Sequence, residues 1–208
     1  MIRILGRLPI KDFFVSVSGG VDSMTLLHFL LAGRRKFTVL YYNHGTDHGR
    51  EAQSFVEEQC DKLGVPLEIG HLWPSMLNCS KSQEENWRDC RYGWLSKFSD
   101  KGTILMAHHL NDAVETYVMT ALKGRPTTIP YRNEKYNIIR PFLITARKDI
   151  VNWAENHGVK WIEDPSNRDS VHDRNFVRNE MMPMIRRLNP GIESVVRKMV
   201  LKNYESQE

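Results

Sequence analysis

The sequence predicts an α/β fold in which helices flank a mainly parallel sheet. Short runs of β-branched and aromatic residues alternate with longer runs whose apolar residues recur at helical spacing. This alternation of strand and helix is the order that builds parallel sheets with helices on both faces. With 208 residues the chain is long enough for one sizeable core. We therefore expect one domain, with an α/β core at residues 1–145 and a mainly helical extension at residues 146–208.

The elements of this fold can be placed in order along the chain. The predicted strands span residues 13–17, 37–42, 66–69, 103–107 and 138–141. The predicted helices span residues 21–32, 51–63, 83–98, 112–122, 146–156 and 190–203. Gly33 and Gly64 follow two of these helices, where glycine commonly ends a helix, and Thr145 is placed to cap another. Segments 44–50 and 124–137 are predicted as loops.

A glycine-rich turn with the sequence SGGVDS stands between the first strand and the first helix. Two adjacent glycines adopt backbone angles that a side chain forbids, so several N–H groups can converge on one point. The start of the helix adds unpaired N–H groups and the positive end of its dipole, which suits a phosphate. Two glycines alone would also fit an ordinary flexible turn. The predicted phosphate-contacting residues are Ser18, Gly19, Gly20, Val21, Asp22 and Ser23. Asp22 is also a candidate ligand for Mg²⁺.

A second strand-to-helix junction with reactive side chains follows the fourth predicted strand. If that strand neighbours the first one, His108 reaches the same crevice as the glycine turn. Asp112 and Glu115 lie in the first turn of the next helix, where acidic side chains suit the helix dipole. That favourable placement also explains the two acids without any chemistry.

Polar residues at other element ends are further candidates. Asn43 and His44 follow the second strand, where open α/β sheets bind ligands, and a solvated loop histidine is the alternative for His44. Arg88 and Arg91 are three residues apart and share a helix face that suits RNA phosphates or a nucleotide. An ion pair between Glu84 and Arg88 on the helix surface is the alternative.

A basic stretch near the C-terminal end follows the turn sequence DPSN at residues 164–167. Arg174 and Arg178 belong to this stretch and are candidates for contacts to RNA phosphates. The acids close enough in sequence to neutralise it are Asp169, Asp173 and Glu180.

Composition and cysteine usage limit the class of protein. The chain is 41% hydrophobic and 26% charged, and its net charge of +4 and pI near 9.0 are compatible with a polyanionic partner. Cys60, Cys79 and Cys90 are odd in number and never spaced as C-x-x-C, which argues against a disulfide framework and a cysteine-rich metal site. No apolar stretch is long enough to span a membrane, and no signal-peptide pattern begins the chain. We therefore expect a cytoplasmic protein without a membrane partner.

Taken together, these motifs resemble the tRNA(Ile)-lysidine synthases of the ATP-pyrophosphatase, or PP-loop, superfamily. The glycine turn is similar to the phosphate loop of that superfamily. Further stretches similar to motifs of the family lie at residues 82–92, 108–116 and 161–183. Two departures stand out, because Asn111 replaces the first Asp of the pattern H-H-x-D-D-x-x-E-T and Ser82 replaces a leading Asn. The resemblance covers about residues 13–190.

The resemblance implies a Rossmann-like fold of the adenine nucleotide alpha hydrolase type and a ligase that forms a carbon–nitrogen bond. Such an enzyme uses ATP and Mg²⁺ to adenylate C2 of the wobble cytidine in tRNA(Ile) with a CAU anticodon. Free lysine then displaces AMP, leaving lysidine. The catalytic residues implied here are Asp22, Asp112 and Glu115, and the implied metal ligands are Asp22 and Asp112. The implied ATP contacts beyond the glycine turn are Asn43, His44 and His108. The implied RNA contacts are Arg88, Arg91, Arg174 and Arg178.

Other readings remain open at this point. Lysidine synthases usually carry further C-terminal domains that help to hold tRNA, and we expect a short form without them. Recognition of the whole tRNA, the effect of Asn111 and the formation of a homodimer therefore stay open. One alternative is another adenylating tRNA-modifying enzyme, such as a thiolase, many of which carry the C-x-x-C that is missing here. A second alternative is an inactive relative that binds a nucleotide or RNA.

Overall fold

The structure is a computed structural model that describes residues 1–73, 75, 77, 78, 80, 82–165 and 173–206. Residues named above that lie outside the described ones are Cys79, Ser166 and Asn167 of the DPSN turn and Asp169, together with the side chain of Glu84. None of the helices in the described part of the chain combines the length and the apolar character that a membrane span requires.

A six-stranded sheet, in the order β3-β2-β1-β4-β6-β5, forms the centre of the described part of the chain. Its strands are β1 (Phe13–Ser16), β2 (Thr38–Asn43), β3 (Leu67–His71), β4 (Thr103–Leu105), β5 (Arg132–Asn133) and β6 (Ile138–Ile139). Neighbouring strands pair in parallel except β5, which runs antiparallel to β6. The chain passes outward from β1 to β3 and then returns to place β4 on the other side of β1. The carboxyl ends of β1 and β4 therefore border a crevice, which is where open α/β sheets bind ligands.

Helices cover both faces of the sheet and form the C-terminal end, which confirms the predicted α/β class. They are α1 (Val21–Ala32), α2 (Asp47–Leu63), α3 (Gln83–Ser99), α4 (Leu110–Leu122), α5 (Arg147–Asn156), α6 (Asp173–Phe176), α7 (Met182–Leu188) and α8 (Ile192–Glu205), and a π-helical turn at Val177–Met181 joins α6 to α7. Alternate residues of β2 show the two faces, because Val39 belongs to the core cluster that includes α1 and α2, whereas Leu40 belongs to the cluster that includes Leu95 of α3. A third cluster joins α4 to α7 and α8.

Several predicted helix starts differ from the structure. Helix α4 begins at Leu110 with His109 as its N-cap, so Asp112 lies in its first turn and Glu115, predicted there too, does not. Helix α2 begins at Asp47 rather than at residue 51, because Thr46 caps it and accepts the N–H of Gly49 at 2.9 Å. Thr145 does not cap α5, because its hydroxyl donates to the carbonyl of Arg3 at 2.6 Å and accepts the N–H of Arg3 at 3.0 Å. The predicted loop before β6 also contains the short strand β5, which the sequence pattern did not indicate.

Candidate active site

The glycine turn closes on itself through the first residues of α1. Ser23 Oγ donates to the carbonyl of Gly20 at 3.0 Å and accepts the N–H of Ser18 at 3.1 Å. Gly19 has a φ of +86°, and a Cβ there would lie 3.2 Å from Ile162 Cγ1, so the position favours glycine. Because the buried Ser23 hydroxyl donates its proton inside the turn, Ser18 supplies the hydroxyl that faces outward.

A cavity of about 480 Å³ opens beside this turn, at the carboxyl ends of β1 and β2. Its walls combine the turn with aromatic and cationic side chains from several elements. The residues that line it include Ser18, Gly20, Val21, Asp22, Tyr42, His44, Trp87, Arg91, Arg147, Trp161, Ile162 and Arg178. Flat aromatic walls suit a base, and convergent N–H groups and cations suit phosphates, so the cavity has the composition of a nucleotide site.

His109 connects the glycine turn to the second junction. Its ring is 2% exposed, with Nε2 3.6 Å from Asp22 Oδ2 and Nδ1 3.4 Å from Asp112 Oδ2. His109 is also the N-cap of α4: Nδ1 lies 3.3 Å from the N–H of Asp112 and accepts it only when the ring is neutral. Burial by itself would lower the pKa of His109, but the carboxylates of Asp112 and Asp22 together raise it. A positive charge on this ring therefore holds two carboxylates from separate elements together.

The two acids of the second junction lie against the predicted basic stretch. Glu115, 3% exposed, accepts from Arg178 Nε at 2.8 Å and from Arg174 Nε at 3.1 Å. Asp112 Oδ1 lies 3.2 Å from Arg174 and 3.4 Å from Arg178. Burial alone would raise the pKa of Asp112, but His109 and Arg174 lower it to about 2. Among the described residues these acids, distant in sequence, are therefore the carboxylate partners of both arginines.

Asn111 contacts helices α5 and α8 instead of the glycine turn. Its Oδ1 accepts the backbone N–H of Arg147 at 2.9 Å. The amide therefore supplies a hydrogen-bond partner to the N–H of the first residue of α5, which has none within the helix. Its Nδ2 donates to Glu193 Oε1 at 3.4 Å. An aspartate here would set a carboxylate beside that of Glu193, which gives a local reason for the amide in this chain.

The two arginines predicted on one face of α3 have different surroundings. Arg91 lines the main cavity, and its Nε is buried without a hydrogen-bond partner among the described residues. Arg88 is exposed, and its guanidinium lies 4.8 Å from the centre of the Tyr92 ring. Arg91 is therefore placed to meet a ligand in the cavity, whereas Arg88 remains a candidate for contacts outside it.

The other predicted ATP contacts, His44, His108 and Asn43, also differ in their surroundings. His44 lines the cavity, and burial together with Arg91 lowers its pKa to about 4. Burial also lowers the pKa of His108, to about 3, although Asp112 opposes this shift. Both rings are therefore neutral at pH 7. Asn43 is buried and accepts the N–H of Gly45 at 2.7 Å, which shapes the loop after β2 rather than the main cavity.

Several residues of this site were missed by the sequence reasoning. His109 lies inside the motif already singled out, so the repeated histidine was a usable signal. Trp161 begins the stretch that resembles the family before the DPSN turn, so it could also have been predicted as a site residue. Arg147 and Trp87 carry no local signal, because each is one residue of an ordinary helical pattern.

Asp22 and Asp112 are the predicted ligands for a metal ion at this site. No group of three or more His, Cys, Asp or Glu side chains among the described residues has the geometry to hold one. Asp22 Oδ1, however, is buried and has no hydrogen-bond partner in the described part of the chain. An oxygen in this state fits a cation that also binds the phosphates of a nucleotide. Asp112 as a metal ligand stays a prediction, since both of its oxygens contact arginine or histidine.

Comparisons of the sequence with known proteins show the family of this chain. The sequence matches the profile of the PP-loop domain family over residues 3–185. The tRNA(Ile)-lysidine synthase of Thermotoga maritima is 34% identical over 91% of this chain and 49% of its own length. The enzyme of the same name from Nitrosomonas europaea is 31% identical over 85% of this chain and 41% of its own length. The chain thus spans about half the length of the curated relatives that it matches.

Solved structures give an independent likeness in fold. The NH3-dependent NAD synthetase of Campylobacter jejuni superposes with a TM-score of 0.54 at 12% identity, over 95% of this chain and 87% of that one. The NMN synthetase of Francisella tularensis superposes with a TM-score of 0.52 at 13% identity, over 73% of this chain and 63% of that one. At these identities the likeness concerns the fold alone.

Proposed function

Because this chain belongs to the family of PP-loop domains, we propose that it carries the adenylating part of a tRNA(Ile)-lysidine synthase. Membership of the family implies the use of ATP. In the proposed reaction the C2 oxygen of the wobble cytidine in CAU-anticodon tRNA(Ile) attacks the α-phosphorus of ATP, and pyrophosphate leaves. The side-chain amine of lysine then attacks C2, and AMP leaves with that oxygen. The name carried by the relatives at 31–34% identity supports this choice of substrates.

The observation that carries the proposal is the continuity between the glycine turn and the acids of α4. Asp22 stands at the start of α1, and His109 joins it to Asp112 within 3.6 Å on either side. ATP phosphates at the turn and an amine at the acids would therefore be neighbours. Chemistry in which a nucleotide is activated and then displaced by an amine needs this proximity.

Residues of the cavity have proposed roles in holding ATP. The first-turn N–H groups of α1 and the hydroxyl of Ser18 donate to the phosphates, and Arg91 adds a cation from the opposite wall. His44 and Trp87, whose ring centres are 5.2 Å apart, offer an aromatic surface for a base. Mg²⁺ bound through Asp22 would neutralise charge on the leaving pyrophosphate.

Asp112 and Glu115 are the proposed acids for lysine. A carboxylate attracts the lysine ammonium and accepts the proton that the amine must lose before it attacks. Both acids are paired with Arg174 and Arg178 in this structure. We retain the proposal that these arginines bind tRNA phosphates, which would release the carboxylates for the amine. Lysine is then expected to bind well only after tRNA has bound.

The test is to incubate the protein with ATP, Mg²⁺, labelled lysine and a CAU-anticodon tRNA(Ile) transcript, and to analyse the digested nucleosides by mass spectrometry. Lysine-adducted cytidine at the wobble position supports the proposal. Asp22→Asn is expected to lower the rate by about a hundredfold or more, as the loss of a preorganised electrostatic group does. Asp61→Asn, which removes an exposed carboxylate of α2, serves as the control.

Two results would contradict the proposal. One is sulfur rather than lysine on the tRNA, which would indicate a thiolase. The other is nucleotide binding without any modified base, with CAU-anticodon tRNA or any other, which would indicate a binding protein.

A further inference from the structure

A groove of about 800 Å³ lies at the amino ends of the parallel strands, on the edge of the sheet opposite the main cavity. Phe13 begins β1 and Thr38 begins β2, and both line this amino-edge groove. Pro66 and Lys101, which precede β3 and β4, line it as well. Because β2 is six residues long, about 20 Å separates the groove from the carboxyl end of that strand. The amino-edge groove is therefore distinct from the proposed nucleotide site.

The charges that line the amino-edge groove are mostly positive. One carboxylate, that of Asp12, lines it together with five cationic side chains, which are Lys11, Arg34, Arg35, Lys36 and Lys101. Arg34 and Arg35 follow the C-terminal end of α1, where cations balance the helix dipole. Arg35 also donates to the carbonyl of Pro9 at 3.3 Å. The two arginines thus have local structural roles, which the three lysines do not share.

The three lysines come from separate segments of the chain. Lys11 precedes β1, Lys36 lies between α1 and β2, and Lys101 lies between α3 and β4. All three are exposed, and none has a carboxylate partner within the described part of the chain. Lys101 Nζ lies 5.6 Å from the centre of the Phe98 ring, a contact that leaves its charge uncompensated. The fold therefore gathers like charges that repel each other, and a polyanion would remove this repulsion.

The apolar side chains of the groove favour a nucleic acid over an acidic protein. Phe13 and Phe37 line it but are only 2% and 8% exposed, so they offer little apolar surface to a partner. Ile10 is an exposed apolar residue of the groove, and a single one is common on protein surfaces. Protein partners usually meet in an apolar core with few charges, whereas nucleic-acid interfaces are more polar and far more positive. Buried rings also cannot stack on bases, so the partner would be held by its phosphates.

We propose that the amino-edge groove binds the phosphate backbone of an RNA helix through Lys11, Lys36 and Lys101, whatever the sequence of that RNA. The bound segment differs from the wobble nucleotide, which the proposed reaction places at the other edge of the sheet. It also lies apart from the arginines named above as candidates for RNA contacts. The inference goes beyond the proposed function, because this binding needs neither ATP nor lysine.

The experiment measures the binding of a short, fluorescently labelled RNA duplex without a loop, by anisotropy at several salt concentrations and without ATP. The groove variant combines Lys11→Gln, Lys36→Gln and Lys101→Gln. The control variant combines Lys123→Gln, Lys135→Gln and Lys198→Gln, which change the net charge equally at exposed lysines outside the groove. Lys135 matches Lys101 closely, because its Nζ lies 5.1 Å from the centre of the Tyr136 ring. Circular dichroism checks that the variants fold alike, and Lys36→Gln alone replaces the groove variant if they do not.

The groove variant is expected to bind the duplex about tenfold more weakly, the summed effect of three exposed ion pairs. The slope of log K against log salt should become shallower by about one for each lysine lost, and the control variant should keep the wild-type values. Equal losses in both variants would overturn the inference, because binding would then follow net charge alone. Unchanged binding by the groove variant would overturn it too.

A polyglutamate peptide serves as a second probe. If the groove variant loses affinity for this peptide and not for the duplex, the groove takes an acidic protein segment and the inference is wrong. Absence of a modified wobble base would contradict the proposed function but not this inference, because the binding assay contains no step of that reaction.

Discussion

Replacing His109 tests whether the buried ring stabilises the fold through its charge or only as a helix cap. Asparagine is among the best N-cap residues, so His109→Asn keeps an acceptor for the N–H of Asp112. It removes the cation that lies between Asp22 and Asp112. His109→Ala removes the cation at a pH where the ring is charged and the cap at a pH where the ring is neutral.

The expected magnitudes follow from the geometry. An N-cap contributes about 1 kcal/mol, and a hydrogen bond to a charged group about 1.5–3 kcal/mol. The distances of 3.6 and 3.4 Å are long, so the lower end of that range applies to the bridge. A charged ring cannot accept the N–H of Asp112, so where the ring is charged His109→Asn loses the bridge and gains a cap, and His109→Ala loses only the bridge. His109→Asn should therefore lower the free energy of unfolding by about 0.5 kcal/mol there, and His109→Ala by about 1.5 kcal/mol. For a chain of this length 1 kcal/mol corresponds to a shift in Tm of about 2–4 °C.

The pH dependence separates the charge from the cap. The pKa of His109 is raised above 6.5, so the stabilisation from its charge is complete below pH 6.5 and is lost as the pH rises through the folded-state pKa. The pKa of Asp112 is lowered from 3.8 to about 2, so its contribution is lost as the pH falls through that interval. The difference between wild type and His109→Asn should therefore be largest between pH 3.8 and pH 6.5.

Urea unfolding followed by circular dichroism, at several values from about pH 5 to about pH 9, measures this difference. His71→Asn, which removes an exposed histidine at the end of β3, is the control. A difference that stays constant over this range would mean that the ring is neutral and acts only as a cap. Equal stability of wild type and His109→Asn at every pH would refute the reasoning about the bridge.

Three further predictions concern single residues. Gly19→Ala should lower the free energy of unfolding in urea by about 1 kcal/mol or more and weaken ATP binding, because φ is +86° and Ile162 leaves little space for a Cβ. The control Gly93→Ala should have neither effect, because no atom lies within 4 Å of the new Cβ. Asn111→Asp should lower the free energy of unfolding by about 0.5 kcal/mol, because it sets a carboxylate beside that of Glu193. The second substitution Glu193→Gln should recover this stability, whereas a stabilising effect of Asn111→Asp alone would contradict this account. The wild type should lose stability as the pH falls from 6.5 toward 4, since the unfolded chain protonates His44 first, and His44→Phe should lose less over that interval.

Local sequence determined most of the strands and helices of this protein and the position of its glycine turn. The order of strands and helices was predicted because apolar periodicity reports which face of each element is buried. The double glycine was informative because the positive φ of Gly19 is a requirement of the backbone itself. Asp112 was visible for the same kind of reason, since it lies in the first turn of α4 and the helix dipole acts within one turn. In each case the cause lies within a few residues of the effect.

Only the tertiary structure decided which side chains meet. Arg174 and Arg178 pair with Asp112 and Glu115, about sixty residues earlier in the chain. Of the nearby acids that the structure describes, Asp173 and Glu180, neither is their partner. Asn111, which replaces the first Asp of the family pattern, contacts the start of α5 and a glutamate of α8, the helix that packs against α4. A buried charged group pairs with an opposite charge that the fold brings within a few ångströms of it. The distance between the two groups depends on how the helices and strands pack. Patterns along the chain specify the elements, whereas the partners of their side chains follow from how the elements pack.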